Sequence, residues 1–446
     1  MKVSSIIAAL LAASSAVDAK ACTVQSSNGQ SDDSQAIAKA LVECAEDSVI
    51  TFSEGIDYNV FNPVNASNLS NVTINMQGNL HLSQNITHMQ SIVNASANTN
   101  ATALYWFDLK GEGVNWVGST NVTNGWIECY GQAWWDTNPP NGTGAAARPH
   151  LMHYNTSNAV MKNMKIHNTI AWGVVVNGEN ITITDTFIDV FTNSSGFPFN
   201  TDGFNVKGNN ITILDSTIFN GDDAIAVQSG SYNILFKGGT IGYASHGLSI
   251  GSLGQDQSKF AAVENITFAD VTVIDAVYAA RFKSWIGGQG LTRNITWKNI
   301  RTFNVSFPIF VTQSYFNQGS AQTQIESGST TVRPNNSSVI MENFNWVNFT
   351  GTINSYMPGD GSCVTDPCWY DAGLPNLKHN EAIIVECNTN TSCSNFSFEN
   401  IQLSPQNRLE PSGICLNATA DLNPQLGLEV DENGYCVNAT YVPVSA

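Results

Sequence analysis

The chain has 446 residues and a net charge of -18, with only 18 lysines and arginines. That balance argues against nucleic acid and anionic membranes as partners. A polyanionic ligand would have to be held by a few local cations against the overall field, and an acidic medium would relieve that repulsion.

In chain order, the first element is a leader. Lys2 supplies a positive start, residues 6–16 form a short apolar run, and Val17-Asp18-Ala19 is a small-residue cleavage site. The run is shorter than the ~18 apolar residues a bilayer span needs, and residues 441–446 carry no apolar tail that a lipid anchor would require. The sequence therefore predicts a signal peptide over 1–19 and a soluble extracellular domain over 20–446. About twenty Asn-x-Ser/Thr sequons, among them Asn65, Asn85, Asn180, Asn265, Asn348 and Asn438, suit the same compartment, although abundant Asn and Thr produce some by chance.

Asp32-Asp33-Ser34 followed by residues 35–42 reads as a cap and an amphipathic helix, the single substantial helix expected, placed to cover the first coil. From about residue 70 to 400 the texture is short β-branched runs divided by Gly, Asn and Asp. An Asn followed by alternating Ile, Thr or an aromatic recurs at Asn180, Asn210, Asn233, Asn265 and Asn294, at spacings of 30, 23, 32 and 29 residues. Such a period marks a repeat architecture. No helical pattern separates the runs, which excludes βαβ units, and hairpin turn signals are sparse. The fold class expected is all-β, a right-handed parallel β-helix of single-chain coils with a short N-terminal capping helix. Each Asn would stand at a turn and ladder with its neighbours. Residues 312–340 and 357–379 read as long loops, and the chain after about 404 as an irregular, disulfide-tied tail.

Nine cysteines are present, six of them after residue 360. In an oxidising compartment most should pair. Proximity suggests Cys22–Cys44, Cys363–Cys368 and Cys387–Cys393, and the odd count leaves one over. The spacing is not that of a zinc site. His150 and His153 lack a third ligand at useful spacing, so packing is expected there, and no metal or cofactor is implied. Trp134 and Trp135 suit either sugar stacking or partial burial.

Four motifs fall in adjacent repeats: Asn200-Thr201-Asp202-Gly203, Asn220-Gly221-Asp222-Asp223, Ser245-His246-Gly247 and Arg281-Phe282-Lys283. The steps from Asp202 to Asp222 to His246 to Arg281 are 20, 24 and 35 residues, each roughly one coil. Neighbouring coils lie ~4.8 Å apart, so these side chains would converge on one face. Taken singly each motif has a duller explanation: a turn, a solvated loop, a structural His, an exposed strand edge. Together they suit glycoside hydrolysis, where one carboxyl protonates the leaving oxygen and another activates water. Arg281 and Lys283 would meet a uronate carboxylate.

In this order the four motifs resemble the polygalacturonases, glycoside hydrolase family 28, over roughly residues 150–320. The resemblance implies a β-helix and metal-free hydrolysis of pectic polysaccharide with inversion. It implies Asp222 as general acid, Asp202 and Asp223 as the pair activating water, and His246 supporting the acid. Arg281 and Lys283 would bind substrate carboxylate, Tyr315 would contact substrate, and Asn200 would orient the site. A monomer is expected. The sequence departs from many relatives in having Ala224 and the run 242–245 where a disulfide would stand, and Ser245 where Gly is usual. The context of 281–285 is closer to exo-acting and xylogalacturonan-cutting members. The expected activity is exo-polygalacturonase. An endo-xylogalacturonan hydrolase, an endopolygalacturonase, a calcium-dependent pectate lyase and a non-catalytic wall-binding glycoprotein are the alternatives.

Overall fold

The computed structural model describes residues 19–97, 103–139, 142–315, 338–364, 368–371, 374, 377–419 and 421–423. Nearly all of the leader, most of the 312–340 stretch, Cys436 and the end of the chain thus lie outside the described residues.

The repeat is a coil of parallel strands, and the chain winds as a right-handed parallel β-helix. Val174–Thr184 pairs with Phe204–Phe219, which pairs with Ser231–Gly242, which pairs with Phe260–Ala269, then Gln289–Val305, then Val339–Ile353. The register places like on like: Ile181, Ile211, Ile234, Ile266, Ile295 and Phe344 are successive rungs of one column, all buried. The next inward column runs Ile183, Ile213, Phe236, Phe268, Trp297, Trp346 and Phe398. Its later members stack face to face, with Trp297 and Trp346 ring centroids 5.5 Å apart at 2° and Trp346 and Phe398 4.6 Å apart at 10°. Strand alternation sends these residues inward and their neighbours outward, so one apolar column is continuous over many coils.

The recurring Asn sits where the chain turns. Asn180, Asn210, Asn233, Asn265 and Asn294 all have φ between 55° and 59°, the left-handed region that Asn tolerates better than other side chains. Their amides bond from coil to coil: Asn180 Nδ2 donates to Asn158 Oδ1 at 2.8 Å, Asn210 to Asn180 at 2.8 Å, and Asn294 to Asn265 at 3.0 Å.

The N-terminal helix forms over Ser34–Glu43 and buries Ile37 and Leu41 against the first coil. Its capping differs from the sequence expectation. Asp33 makes no cap bond; its carboxylate accepts from Ser27 N at 2.7 Å and Asn59 N at 3.0 Å, tying loops together instead. Nor is this helix alone. Ile86–Ala97 is a longer helix, started by Asn85, whose Oδ1 accepts from His88 N at 3.1 Å. Its opening Asn-Ile-Thr mimics the strand phrase, which hid it. A short helix, Gly131–Trp135, buries Trp134 and Trp135, so neither ring is a sugar platform.

The three expected disulfides, Cys22–Cys44, Cys363–Cys368 and Cys387–Cys393, are present. Cys129 is free and buried. The chain after 404 is more regular than expected: Ser412–Leu416 pairs in parallel with Glu381–Glu386 and adds a further rung, because Ile414 and Leu416 are buried with the Tyr278 and Phe307 rings in a second apolar cluster. Residues 312–315 belong to the strand Phe307–Tyr315 instead of a loop. Among the described residues no helix is long and apolar enough to cross a membrane.

Candidate active site

Four strands carry the site side by side. Phe204 pairs with Ile225, Ile225 with Leu248, and Leu248 with Ala280. Asp202, Asp222-Asp223 and His246 lie in the turns that lead into the first three. Arg281 and Lys283 point outward from the fourth, Tyr278–Trp285, while Ala280 and Phe282 point into the core. The turns must lie close. A Cβ on Gly203 would meet Ala224 O at 2.5 Å, and one on Gly247, at φ 81°, would meet Tyr278 O at 2.5 Å. This is why Gly follows both Asp202 and His246.

The predicted residues form one connected cluster. Asp223, 1% exposed, accepts from Lys283 Nζ at 2.5 Å, Ser249 Oγ at 2.5 Å and Arg281 Nη1 at 3.4 Å. Asp222 Oδ1 lies 3.1 Å from His246 Nδ1 and accepts from Asp223 N at 2.8 Å, and its Oδ2 accepts from Asn200 Nδ2 at 3.3 Å. Asp202 Oδ2 accepts from Asn205 at 3.2 Å, while its buried Oδ1 has no partner among the described residues. Arg281 lies over the rings of Tyr278 at 4.3 Å, Trp369 at 5.4 Å and Tyr315 at 5.7 Å, and Lys283 is 5.4 Å from the Tyr315 ring. The missing disulfide is replaced by packing: Ala224 and Ser245 are fully buried, and Ser245 Oγ donates to Asp222 O at 3.2 Å.

The carboxyls do not share one proton affinity. Burial, then the charges of Asp222 and Asp223, push Asp202 well above the usual carboxylate range. Burial would raise Asp222 too, but His246, Lys283 and the Asp223 amide hold it below that range. Burial works against a charged His246, yet Asp222 and Asp360 lift it to about 9. Burial also opposes the charges of Lys283 and Arg281; for Lys283 the Asp223 charge offsets it, and for Arg281 Tyr278 and Asp223 do. Asp222, Asp223 and His246 offer ligand atoms within 4.8 Å of one another; the Asp223 oxygens accept from Lys283, Arg281 and Ser249, and both His246 nitrogens face carboxylate oxygens, an arrangement that suits proton transfer.

Sequence reasoning missed two charged members. Arg148 donates from Nη2 to Asn200 Oδ1 at 2.7 Å and from Nη1 to Phe199 O. Burial pulls it down to about 10, against the attraction of Asp222 and Asp202. Asp360 Oδ2 lies 2.9 Å from His246 Nε2. Neither sits in a motif; a lone Arg before Pro149 and a Gly-Asp-Gly turn carry no signal. His150 and His153 pack as expected, His150 against Trp172 at 4.4 Å and His153 on Tyr105 at 4.9 Å, with His153 Nδ1 2.8 Å from Asp108.

The family model of glycosyl hydrolases family 28 matches residues 59–356. The chain belongs to this family. It is a glycoside hydrolase. A protein named "Probable exopolygalacturonase C" from Aspergillus terreus is 58% identical over 424 residues, covering 95% of this chain and 93% of that one. Its namesake from Aspergillus niger is 55% identical, covering 94% and 91%. Among solved structures, the endo-xylogalacturonan hydrolase of Aspergillus tubingensis superposes with a TM-score of 0.69 at 21% identity, over 90% of this chain and 97% of that one. An exopolygalacturonase from Thermotoga maritima gives 0.57 at 16% identity, over 89% and 90%. At these identities the structures share the fold.

Proposed function

We propose that the chain is a secreted exo-polygalacturonase that hydrolyses α-1,4-galacturonosyl linkages of pectic polysaccharide with inversion, acting as a monomer. The observation that carries this is one buried cluster that holds Asp202 Oδ1, an acceptor, and Arg281 Nε, a donor, neither with a partner among the described residues. The first suits a water molecule awaiting deprotonation. The second, with Lys283, suits the carboxylate of a galacturonate unit, in a chain whose net charge of -18 otherwise repels it.

In this reading Asp222, fed by His246, protonates the leaving glycosidic oxygen. Asp202 in its ionised form, with Asp223, takes a proton from the attacking water on the opposite face of the sugar. In the substrate-free site Asp202 binds a proton more tightly than Asp222, so these roles require Asp202 to be ionised before water attacks and Asp222 to draw its proton from His246. Asn200 holds Asp222 in place, and Arg148 holds Asn200. Tyr315 flanks both carboxylate-binding cations. The names of the Aspergillus relatives support an exo mode.

Product sizing on polygalacturonate tests the mode. Galacturonic acid should be the sole early product, in its inverted anomeric form. Early short oligomers would mean endo cleavage, an unsaturated product lost on chelation would mean a lyase, and no release would mean a binding protein. Faster turnover of xylosylated than of bare chains would assign the xylogalacturonan substrate.

A further inference from the structure

We propose that Asp360 is a positioning residue that completes a three-group proton relay, Asp360–His246–Asp222, and keeps the acid side of the site loaded. The proposal rests on Asp222 being the acid, as above.

The geometry is a matter of counting hydrogens. His246 Nδ1 faces Asp222 Oδ1 at 3.1 Å, and Nε2 faces Asp360 Oδ2 at 2.9 Å. Ionised carboxylates only accept hydrogen bonds. For both contacts to be bonds, both ring nitrogens must carry hydrogen, or one carboxyl must. Either way the trio holds one proton more than a neutral imidazole between two carboxylates would, and the relay places it on the imidazole with both carboxylates ionised. That proton is stored one hydrogen bond from the group that delivers it.

Asp360 is built to stay there. Its side chain is wholly shielded from solvent. Its other oxygen accepts from Ser362 N at 2.8 Å, and the preceding Gly359 N donates to Ser306 Oγ at 2.8 Å. The Cys363–Cys368 disulfide follows within the same loop, and Trp369 closes over the imidazole at 5.3 Å between ring centroids. The loop thus excludes water from the one imidazole nitrogen that Asp222 does not use.

The groups facing His246 all bear on its proton. Asp222 comes from the turn before Ile225 and Asp360 from the loop after Ile353. The strand Tyr278–Trp285 presents Tyr278, 6.1 Å from the imidazole, and Arg281, 4.3 Å from the Tyr278 ring. Lys283 and Arg148 both attract Asp222, the carboxylate that faces Nδ1. The two carboxylates are the groups in hydrogen-bond contact, and they hold the imidazole proton against burial.

During turnover the glycosidic C1–O bond breaks as Asp222 passes on to its oxygen the one proton that it takes from His246, while a new C1–O bond forms to the attacking water. The N–H bond at Nδ1 breaks and an O–H bond forms on the leaving sugar. The imidazole is left neutral, its remaining hydrogen on Nε2 and donated to Asp360. The proton of the attacking water goes to the Asp202–Asp223 pair, and the site is reset when that pair releases it to solvent and Nδ1 takes one up.

The test is D360N, which keeps the shape and removes the charge. Nitrogen NMR of the imidazole in the full-length protein, assigned by H246Q, should show both ring nitrogens protonated at pH 7. In D360N the proton should be lost one to two pH units lower, the size of shift a carboxylate at this distance produces. The alkaline limb of kcat/KM should move by the same amount, with KM for trigalacturonate unchanged and D360E restoring part of the shift. A His246 titration and an alkaline limb that both stay in place in D360N would overturn the relay. So would a neutral His246 in the wild-type protein at pH 7, which needs no variant to fold. The NMR titration reads the relay without turnover, so an inactive wild-type enzyme would sink the functional reading and leave the relay testable.

Discussion

Lys283→Met probes the tightest contact in the cluster. Lys283 Nζ lies 2.5 Å from Asp223 Oδ2, with the two side chains 7% and 1% exposed. Removing the ammonium leaves Asp223 buried with Ser249 Oγ at 2.5 Å and Arg281 Nη1 at 3.4 Å as its remaining side-chain partners. Breaking a buried pair from one side costs about 3–5 kcal/mol. The two surviving donors place this variant at the lower end, about 3 kcal/mol. Asp223→Asn alone strands Lys283 in the same way. The double variant strands neither, so its loss of stability should be smaller than the two single losses added, by about 2 kcal/mol. Urea unfolding of the four proteins with linear extrapolation measures this. Turnover should remain lost in the double variant, since both the carboxylate and the cation to which the proposed mechanism gives water activation and substrate binding are gone. A coupling below about 0.5 kcal/mol, the scatter expected of independent sites, would refute the pairing and with it the argument that the coils bring these charges into one water-excluded contact.

Asp222→Asn should fold normally and lower kcat by about a hundredfold to ten-thousandfold; near-wild-type release of galacturonate would remove the acid assignment. Because the folded proton affinity of His246 is raised from 6.5 to about 9, its contribution to stability is complete below pH 6.5 and is lost as pH rises to about 9. The difference in unfolding free energy between the wild-type protein and His246→Gln should therefore shrink by about 3 kcal/mol across that window, and a constant difference would contradict it. Trp346→Ala removes the middle ring of the Trp297–Trp346–Phe398 stack and should cost about 3–5 kcal/mol in urea unfolding without changing KM.

The coil was legible because its columns repeat. An Asn in the left-handed region followed by an inward Ile recurs often enough to be read as a period, and that period alone places Asp202, Asp222, His246 and Arg281 in successive coils. Irregular segments gave no such signal. The helix Ile86–Ala97 opens with the strand phrase, and only tertiary packing of Met89 distinguishes the two. Asp360 stands 114 residues beyond His246, on a loop outside the repeat, so no spacing rule could align it with the site. The same holds for Arg148, which reaches Asn200 from a loop 52 residues earlier. Periodicity reported what the solenoid stacks and was silent on what folds back over it.

The ladder of asparagines bears on which sequons are open to glycans. Ile181, Ile211, Ile266 and Ile295 must face inward, and Thr182, Thr212, Thr267 and Thr296 then face outward, so a coil that turns on Asn spells Asn-Ile-Thr for reasons of shape alone. Much of the apparent wealth of acceptor sites is thus a by-product of winding. At these corners the nitrogen that a glycan would occupy is the one already bonding the coil beneath, so decoration there comes at the expense of a seam that clasps successive turns together.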